Sequence, residues 1–477
     1  MGESQARALR ASFNRSLRFE TRADHVSGVV GITALREFDE ATGLTKHLSE
    51  RLEDPRRAGS VRHSTLKMLR SRIYSIACGL PWQSSVPGMQ QDFAARLATS
   101  EHRGLKPLDS PLASQPTISR FTSVLGRDEN RRVLHDGLMQ SAAAMRRARR
   151  KGKLPVVDLD IDSTAIRTHG HQDGSAFNGY YRQHCYHPGV AILQPYGLFV
   201  GLLFRGGKAN TSVDFDRQLG GWVRALRKSV AQKVRVRADA GFVGDELYGC
   251  LEAAGAEYAI RLPRYEPLKE LAGGILARVR KAGLPRGEER YFELNCRLAK
   301  WSKSRRIVMV VHRDVSTPLF VDWYLIVTNM DPRAYPAHWV LKYYRKRGVM
   351  EDQLGELKSA LQPHLSCTAR PKTMYAGRRV ASTRAERGVM AANEATMLHF
   401  MLAYNLVAML RYLVGDALPG TRGEVARIRR VQDLLLRIPG RLTQRGRRAI
   451  VLIPLEAGRI LAIVWRAIHE ARARICA

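Results

Sequence analysis

Apolar residues in the first 150 positions recur every three or four residues, which is the spacing of one helix face. The segment VRHSTLKMLRSRIYSIACGL, residues 61–80, has this spacing, and strand-like runs are scarce around it. The basic segment MRRARRKGKLP then ends at Pro155, and proline disfavours continuation of a helix. We therefore predict a helical domain over residues 1–150.

After Pro155 the pattern changes to short apolar runs that are typical of strands. PVVDLDIDST predicts one strand, and GVAILQPYGLFVGLLFR predicts two strands joined by a turn at residues 194–197. A helical segment, the strand KVRVRADAGF, a second helix and the strand EYAIRLP follow. Three successive strands followed by alternating helices and strands predict an α/β domain over residues 151–263, with helices packed on a mixed sheet.

Residues 264–332 interrupt this alternation. A Gly- and Arg-rich piece precedes two strand-like runs, RRIVMVVHRD and PLFVDWYLIVTNM, so we predict an inserted β-rich subdomain. Residues 333–362 are predicted to add one long helix that completes the α/β domain. Residues 363–477 are predicted to form a mainly helical C-terminal region.

The longest apolar run, Met397–Leu410, includes His399 and Asn405. It falls short of the roughly 20 residues that a membrane-spanning helix needs, so we predict a buried helix and no membrane partner. The N-terminus lacks the long apolar core of a signal peptide. The cysteines show no paired spacing that would predict a disulfide framework. We expect a soluble, cytoplasmic protein.

The formal net charge of +34 is the largest compositional departure. Such an excess is unfavourable to a compact fold unless a polyanion is the usual partner. Basic residues outnumber acidic ones in residues 51–150, 301–350 and 401–477, whereas residues 1–50 are balanced. Nucleic acid gripped at several places is the predicted partner. The alternative explanation is that a GC-rich genome supplies surplus arginine codons.

Acidic residues are the main candidates for chemistry. Asp158, Asp160 and Asp162 alternate in one predicted strand and therefore point to the same face. They would repel one another unless the strand runs out to solvent or a cation lies nearby. Asp239 ends another predicted strand directly before Ala-Gly, where it is either a turn cap or a functional acid.

The segment YYRKRGVMEDQLGELK, residues 343–358, places acids after a run of basic residues. At 100° per residue, a helical sector of about 60° holds four of its side chains: Tyr344, Arg347, Glu351 and Lys358. Asp352 points elsewhere. An intrahelical ion pair between Arg347 and Glu351 is the simplest explanation. The alternative is a metal-binding carboxylate beside cations that contact DNA, because Mg²⁺ favours oxygen ligands.

The four residues of that sector reproduce the spacing Y-x2-R-x3-E-x6-K. This spacing resembles the signature of a large group of bacterial insertion-sequence transposases that have a ribonuclease H-like catalytic domain and a triad of two Asp and one Glu. Three further segments resemble one branch of that group: DIDSTAIRTHGHQDGSAFNGYYRQHCYHP, RADAGF and LASQPTISRF. The resemblance covers nearly the whole chain.

The resemblance implies a catalytic and metal-binding triad of Asp162, Asp239 and Glu351. Asp162 precedes Ser-Thr as the first Asp of the family does, and Asp160 remains the alternative. Two Mg²⁺ ions are implied, with Mn²⁺ as a substitute, activating water to nick DNA and then the freed 3′-hydroxyl to attack target DNA. The implied fold is a ribonuclease H-like mixed sheet with a β-rich insertion, flanked by helical N- and C-terminal regions.

The resemblance also implies DNA contacts at Tyr344, Arg347 and Lys358. LASQPTISRFTS is similar to the start of a recognition helix, which would make residues 1–150 a DNA-binding domain and place Arg120 on DNA; an ordinary capped helix is the alternative. Lys208 lies in a predicted turn after the third strand, where it contacts either DNA or only solvent.

The implied partners are the terminal inverted repeats of a transposon and its target DNA, held by a homodimer in a synaptic complex. The C-terminal helices are the candidate dimer contact, and the bacterial nucleoid is the expected location. A catalytically silent DNA-binding derivative of a transposase is the alternative function. A hydrolytic nuclease on the same fold would cleave DNA without joining it.

Overall fold

The computed structural model describes most of the chain. The described residues are 9–10, 13, 18–19 and 25–476, except for 58, 60, 170–171, 213, 314–320, 368–382, 416–417, 419–425 and 446–447.

An eight-stranded mixed sheet lies at the centre of the fold, as predicted. Its strands, labelled in chain order, are β1 (Leu154–Ser163), β2 (Gly189–Gln194), β3 (Leu198–Leu203), β4 (Ala231–Ala238), β5 (Glu257–Leu262), β6 (Glu289–Cys296), β7 (Arg305–His312) and β8 (Asp322–Thr328). The order across the sheet is β6-β7-β8-β5-β4-β1-β2-β3. β1, β4 and β5 run parallel to one another, and every other pairing in the sheet is antiparallel.

β2 and β3 form the predicted hairpin, joined at residues 194–197. Gly197 adopts φ +65°, a left-handed conformation that glycine tolerates best. Helix Phe215–Ser229 connects β3 to β4, and helix Asp245–Ala253 connects β4 to β5. The first of these helices packs tightly on the sheet, because a Cβ atom at Gly201 of β3 would lie 2.5 Å from the Trp222 ring. Glycine therefore sets the close approach of helix and sheet here.

The strands of residues 264–332 continue the same sheet. β8 pairs antiparallel with β5, and β7 and β6 follow outward from it. Helix Glu266–Ala282 occupies the earlier, Gly- and Arg-rich part of the segment. The three strands of this segment extend the edge of the central sheet.

Residues 333–362 contain a break that the helical pattern did not predict. Helix Ala337–Arg345 ends at a turn, and the Glu351 helix (Gly348–Glu356) begins after it. The turn is tightened by three-residue hydrogen bonds, such as Arg347 N–H to the Tyr344 carbonyl at 2.9 Å. Gly348 follows the turn directly, and glycine costs about 1 kcal/mol relative to alanine inside a helix. A π-helical turn, Leu357–Leu361, closes the segment.

Helices dominate both flanking regions. The N-terminal ones are Ile32–Thr42, Leu44–Arg51, Thr65–Ala77, Val86–Gln90, Phe93–Thr99, Gln115–Leu125 and Asp128–Arg149. The C-terminal ones are Thr383–Val414, Ile428–Val431 and Leu455–Cys476, with a π-helical turn at Gln432–Leu436. The C-terminal region also contains a hairpin, Gly440–Arg445 with Arg448–Leu452, which the sequence did not predict. Its first strand pairs with His25–Ser27, which ties the two ends of the chain together.

Helix Thr383–Val414 contains the apolar run noted in the sequence. Its stretch Met390–Val414 is long and apolar enough to cross a membrane by length and composition, and 89% of its most apolar window is buried inside the protein. Burial within the protein is what a core helix of this composition shows. Asn405 bonds to the backbone of Phe199 in β3 through both its amide nitrogen (2.7 Å) and its oxygen (2.8 Å), which fixes this helix against the sheet.

Candidate active site

The parallel pairing of β1 with β4 places the alternating aspartates of one strand beside the alternating arginines of the other. In this register Asp158 lies level with Arg235, and Asp160 with Arg237. The ion pairs are short, at 2.9 Å for Asp158–Arg235 and 2.6 Å for Asp160–Arg237. The cation that three aspartates on one face require is therefore supplied, at these two steps, by the neighbouring strand.

Asp160, the alternative first acid of the triad, is enclosed. It is 0% exposed, and both of its oxygens accept hydrogen bonds from Arg237, which is itself 1% exposed. Arg237 also donates to the Tyr343 carbonyl at 3.0 Å and lies 4.9 Å from the centre of the Tyr343 ring. Since a buried ion pair needs all of its hydrogen bonds satisfied, these contacts explain how Asp160 is tolerated in the core.

The third step of the ladder has a different composition. Asp162 occupies it on β1, but the residue two places after Arg237 is Asp239, just beyond the end of β4. An acid thus faces an acid, and the cation comes from the turn before the Glu351 helix. Arg347 Nη2 lies 2.6 Å from Asp162 and 3.9 Å from Asp239, and its Nη1 lies 3.5 Å from Glu351. The structure therefore brings the three predicted acids together around one guanidinium.

Burial raises the pKa of Asp162 to about 6; Arg347 opposes this shift and the charge of Asp239 adds to it. Lys358 is close enough for Asp162 to counteract the lowering of its pKa by burial. Burial is the largest single effect on the pKa of Arg347 and lowers it, but the charges of Asp162, Asp239 and further neighbours together raise this pKa above its usual value, so Arg347 stays cationic. Three acids and one buried arginine leave this end of the ladder with surplus negative charge.

The other two acids are open to solvent. The Glu351 side chain is 70% exposed and that of Asp239 is 42% exposed, against 17% for Asp162. Their oxygens can thus meet a large ligand such as a phosphodiester without rearrangement of the core. A deep, partly neutralised acid beside two exposed ones is an arrangement suited to binding cations and activating water at a surface.

Two buried contacts set the position of the Glu351 helix. Gln353 exchanges hydrogen bonds with Gln194 at the end of β2, at 2.7 and 3.2 Å. Glu356 accepts from Arg411 at 2.9 Å and from the Tyr404 hydroxyl at 2.9 Å, both on helix Thr383–Val414. The helix is anchored at one side to the sheet and at the other to the C-terminal region, which fixes the direction in which Glu351 points.

The predicted DNA-contacting residues occupy different environments. Arg347 is only 8% exposed and faces the acids, and burial raises the pKa of Tyr344 to about 12 beside it. Lys358 is exposed, and the charges of Asp162 and Cys185 act on its pKa. Exposed Lys208 follows Gly207, which lies against the Cys185 backbone. Arg120 is exposed on helix Gln115–Leu125, which begins after Ser114 and has a proline in its first turn.

Among the residues that the structure describes, no group of three or more His, Cys, Asp or Glu side chains is close enough to hold a metal ion. The donor set nevertheless fits Mg²⁺ or Mn²⁺ in chemistry, because all three side chains offer carboxylate oxygens. Each of them also lies within 4 Å of one cation, the Arg347 guanidinium. In the structure the three acids share one cation, and it is the Arg347 guanidinium.

Arg235 and Arg237 border the site, and the sequence reasoning missed them. Their signal was in the sequence: VRVRAD alternates with the same period as DLDID, and two parallel strands in register place equal periods face to face. The rings of Trp339 and Tyr343, stacked at 5.2 Å, cover the two arginines from helix Ala337–Arg345. This helix thus seals the inner part of the ladder.

A family model described as "Transposase DDE domain group 1" matches residues 9–459 of the chain. No curated protein matches it. Among solved structures, the chain is similar to a piggyBac transposase in a synaptic complex with hairpin DNA, with 11% identity and a TM-score of 0.39 over 94% of this chain and 82% of that one. A likeness this distant adds nothing about activity, whereas the family match spans most of the chain.

Proposed function

Because the chain belongs to the family of group 1 DDE-domain transposases, we propose that it is a DNA transposase whose triad is Asp162, Asp239 and Glu351. The observation that carries this proposal is the convergence of these acids, from two strands and a helix, on the single guanidinium of Arg347. Asp162 is preferred to Asp160 because both oxygens of Asp160 are already bonded to Arg237.

The proposed catalytic fold is ribonuclease H-like. Its support is the connection of the strands: three antiparallel strands, β1 to β3, precede β4 and β5, which run parallel to β1 and are linked by helices. The proposed triad then consists of Asp162 on β1, Asp239 directly after β4, and Glu351 on the Glu351 helix. β6, β7 and β8 form the insertion between Asp239 and Glu351.

Asp162, Asp239 and Glu351 would hold two divalent cations, Mg²⁺ or Mn²⁺. When bound, such ions activate the attacking oxygen and stabilise the leaving one. The residues of the chain orient the DNA around them: Asp162 is fixed by its bond to Arg347, and Glu351 by the anchored helix. In strand cleavage water attacks phosphorus and the 3′-oxygen leaves; in strand transfer that 3′-hydroxyl attacks a target phosphate and displaces its 3′-oxygen.

The proposed substrates are the terminal inverted repeats of an insertion sequence and a target duplex. The formal charge of +34 supports polyanion binding. Exposed Lys358 near Asp162, exposed Lys208 after Gly207 and exposed Arg120 on the N-terminal helix are the proposed phosphate contacts. Tyr344 and Arg347 are proposed to support the scissile region from beneath. A homodimer that joins two ends through the C-terminal region, in the nucleoid of a bacterial cytoplasm, completes the proposal.

The test is excision in cells from a donor plasmid that carries the element's own ends. Wild type is compared with Glu351→Gln and with a matched control, Asp352→Asn, which changes a neighbouring exposed acid of the same helix. We expect wild type and Asp352→Asn to excise and Glu351→Gln to fail, with end binding by gel shift retained in all three.

Each other outcome has a definite meaning. Equal excision by wild type and Glu351→Gln would overturn the triad. End binding without excision by wild type would identify the silent DNA-binding derivative. Cleavage without any joined product, seen by sequencing target DNA, would identify a hydrolytic nuclease.

A further inference from the structure

Exposed aromatic rings form the tip of a small hairpin between β1 and β2. Its strands are Ala176–Asn178 and Gln183–Tyr186. Three rings near the turn are exposed: Tyr180 by 89%, Phe177 by 53% and Tyr181 by 36%. Tyr180 and Tyr181 contact each other edge to face at 4.9 Å. Contiguous exposed aromatic surface on a folded protein marks a site of interaction.

The exposure of the tip is built into the backbone. The Asn178 side-chain oxygen accepts hydrogen bonds from the backbone N–H groups of Tyr180 (3.1 Å) and Tyr181 (3.3 Å). Its amide nitrogen donates to the Gly207 carbonyl at 3.0 Å, which fastens the hairpin to the loop after β3. Arg182 closes the turn in a left-handed conformation, φ +51°. The tyrosines are thus held outward instead of folding back into the core.

This tip lies beside the acids. The Tyr181 ring is 5.7 Å from the His187 ring, and His187 leads into β2, whose Gly189 pairs with Ser163 next to Asp162. Burial raises the pKa of Tyr181, and the charges of Asp162 and Asp239 raise it further.

Cationic side chains border the same tip. Arg182 is exposed at the turn, and exposed Lys208 follows Gly207, to which the hairpin is bonded. Aromatic rings flanked by cations bind unpaired nucleotides, because the rings stack on bases and the cations hold the phosphates. A fully paired duplex offers its bases no exposed face, so such a platform has a use only where a base leaves the stack.

We propose that Tyr180 and Tyr181 stack on a nucleobase that is unpaired next to the scissile phosphate. They act as positioning residues: the base is held while the acids act on the phosphate. This inference rests on the proposed function, since it takes the DNA at the acids as the substrate. Phe177, which lies 5.7 Å from His184, extends the aromatic surface along the hairpin.

The experiment measures binding of labelled duplexes that carry the element's ends, by fluorescence anisotropy. In one series every base is paired. In a second series a single base is left opposite an abasic site, and this site is moved one position at a time across the end. Wild type is expected to bind one unpaired position about tenfold more tightly than the paired duplex, in the range of one base–aromatic stack.

The variants separate stacking from other roles. Tyr180→Leu with Tyr181→Leu is expected to lose the preference and keep the affinity for paired DNA, whereas Tyr180→Phe with Tyr181→Phe is expected to keep both. Tyr291→Leu is the matched control, because Tyr291 is also 36% exposed but lies on β6 at the far edge of the sheet. It is expected to behave as wild type.

No preference in wild type, or a preference that survives in the leucine variant, would overturn the inference. The measurement needs no catalysis, so it is independent of excision. A protein that shows the tyrosine-dependent preference but never excises would contradict the proposed function and leave the base-stacking role standing. Excision by wild type without any preference would do the reverse.

Discussion

The inner and outer parts of the β1–β4 ladder show how the same alternation serves two purposes. In the inner part, two aspartates of β1 each pair with one arginine of β4, so charge is balanced step by step. In the outer part, Asp162, Asp239 and Glu351 share Arg347. The difference arises at one position. The alternating pattern of Arg235 and Arg237 continues with Asp239, directly after β4, where a third arginine would balance Asp162.

Solvent access differs in the same direction. Asp160 is fully enclosed under helix Ala337–Arg345, while the side chains of Asp239 and Glu351 are 42% and 70% exposed. A balanced and buried pair can stabilise or specify a fold but offers nothing to a ligand. An unbalanced and open cluster costs stability and attracts cations. Two properties therefore separate the structural carboxylates of β1 from the candidate functional one. These are the number of cations that pair with each acid and the exposure of the acids around it.

The strongest effect is predicted for a change in the outer part of the ladder, at Asp162. Asp162→Asn is expected to reduce excision at least about a thousandfold, which corresponds to about 4 kcal/mol of lost transition-state stabilisation. The reason is that a neutral amide cannot serve as an anionic ligand. The protein is expected to remain folded, because Arg347 keeps Asp239 and Glu351 as partners. Excision within a few-fold of wild type would remove Asp162 from the triad.

The second prediction concerns the buried ion pair of Asp160 with Arg237 in the inner part of the ladder. Asp160→Asn leaves the Arg237 guanidinium buried without its counter-charge, so the free energy of unfolding is expected to fall by about 3–5 kcal/mol. Urea denaturation followed by circular dichroism measures it. The double variant Asp160→Leu with Arg237→Met is expected to recover most of the loss, since two apolar side chains need no pairing. A single variant as stable as wild type would show that the pair is not structural.

These two aspartates also show how far the sequence could lead. Alternation placed them on one face, and the spacing of Tyr344, Arg347, Glu351 and Lys358 indicated a site on the following helix. Neither pattern showed that Arg235 and Arg237 neutralise the inner acids. This neutralisation depends on the register of β1 with β4. That register pairs residues 77 positions apart in the chain, such as Asp160 and Arg237.

The helix break was beyond the sequence for a related reason. The wheel placed Arg347 on one helical face with Glu351, and that pair does form at 3.5 Å. The turn before Gly348, however, carries Arg347 into the site, where Asp162 at 2.6 Å holds it. Arg347 and Asp162 are 185 positions apart in the chain, so no local pattern of the sequence shows their contact. The aromatic hairpin was not predicted either, because its sequence FNGYY has no periodic pattern of apolar and polar residues.

The weakest effect is predicted for the dependence of the unfolding free energy on pH, through the carboxyl group of Asp162. The pKa of Asp162 rises from 3.8 to about 6 on folding, chiefly by burial. The folded state therefore binds this proton more tightly than the unfolded chain does. The resulting stabilisation is fully present below pH 3.8 and is lost as the pH rises through about 6. At neutral pH the shift costs wild type about 3 kcal/mol, at 1.36 kcal/mol per pKa unit.

Asp162→Asn carries no such proton. In metal-free buffer, the unfolding free energy of this variant minus that of wild type is therefore expected to increase by about 2 kcal/mol between about pH 4 and pH 7.5. Addition of Mg²⁺ at the higher pH is expected to stabilise wild type and narrow the gap, because a bound cation favours the ionised carboxylate. A difference that stays constant across the range would mean that Asp162 ionises as readily in the fold as in the unfolded chain, and the outer part of the ladder would then carry no stored electrostatic cost.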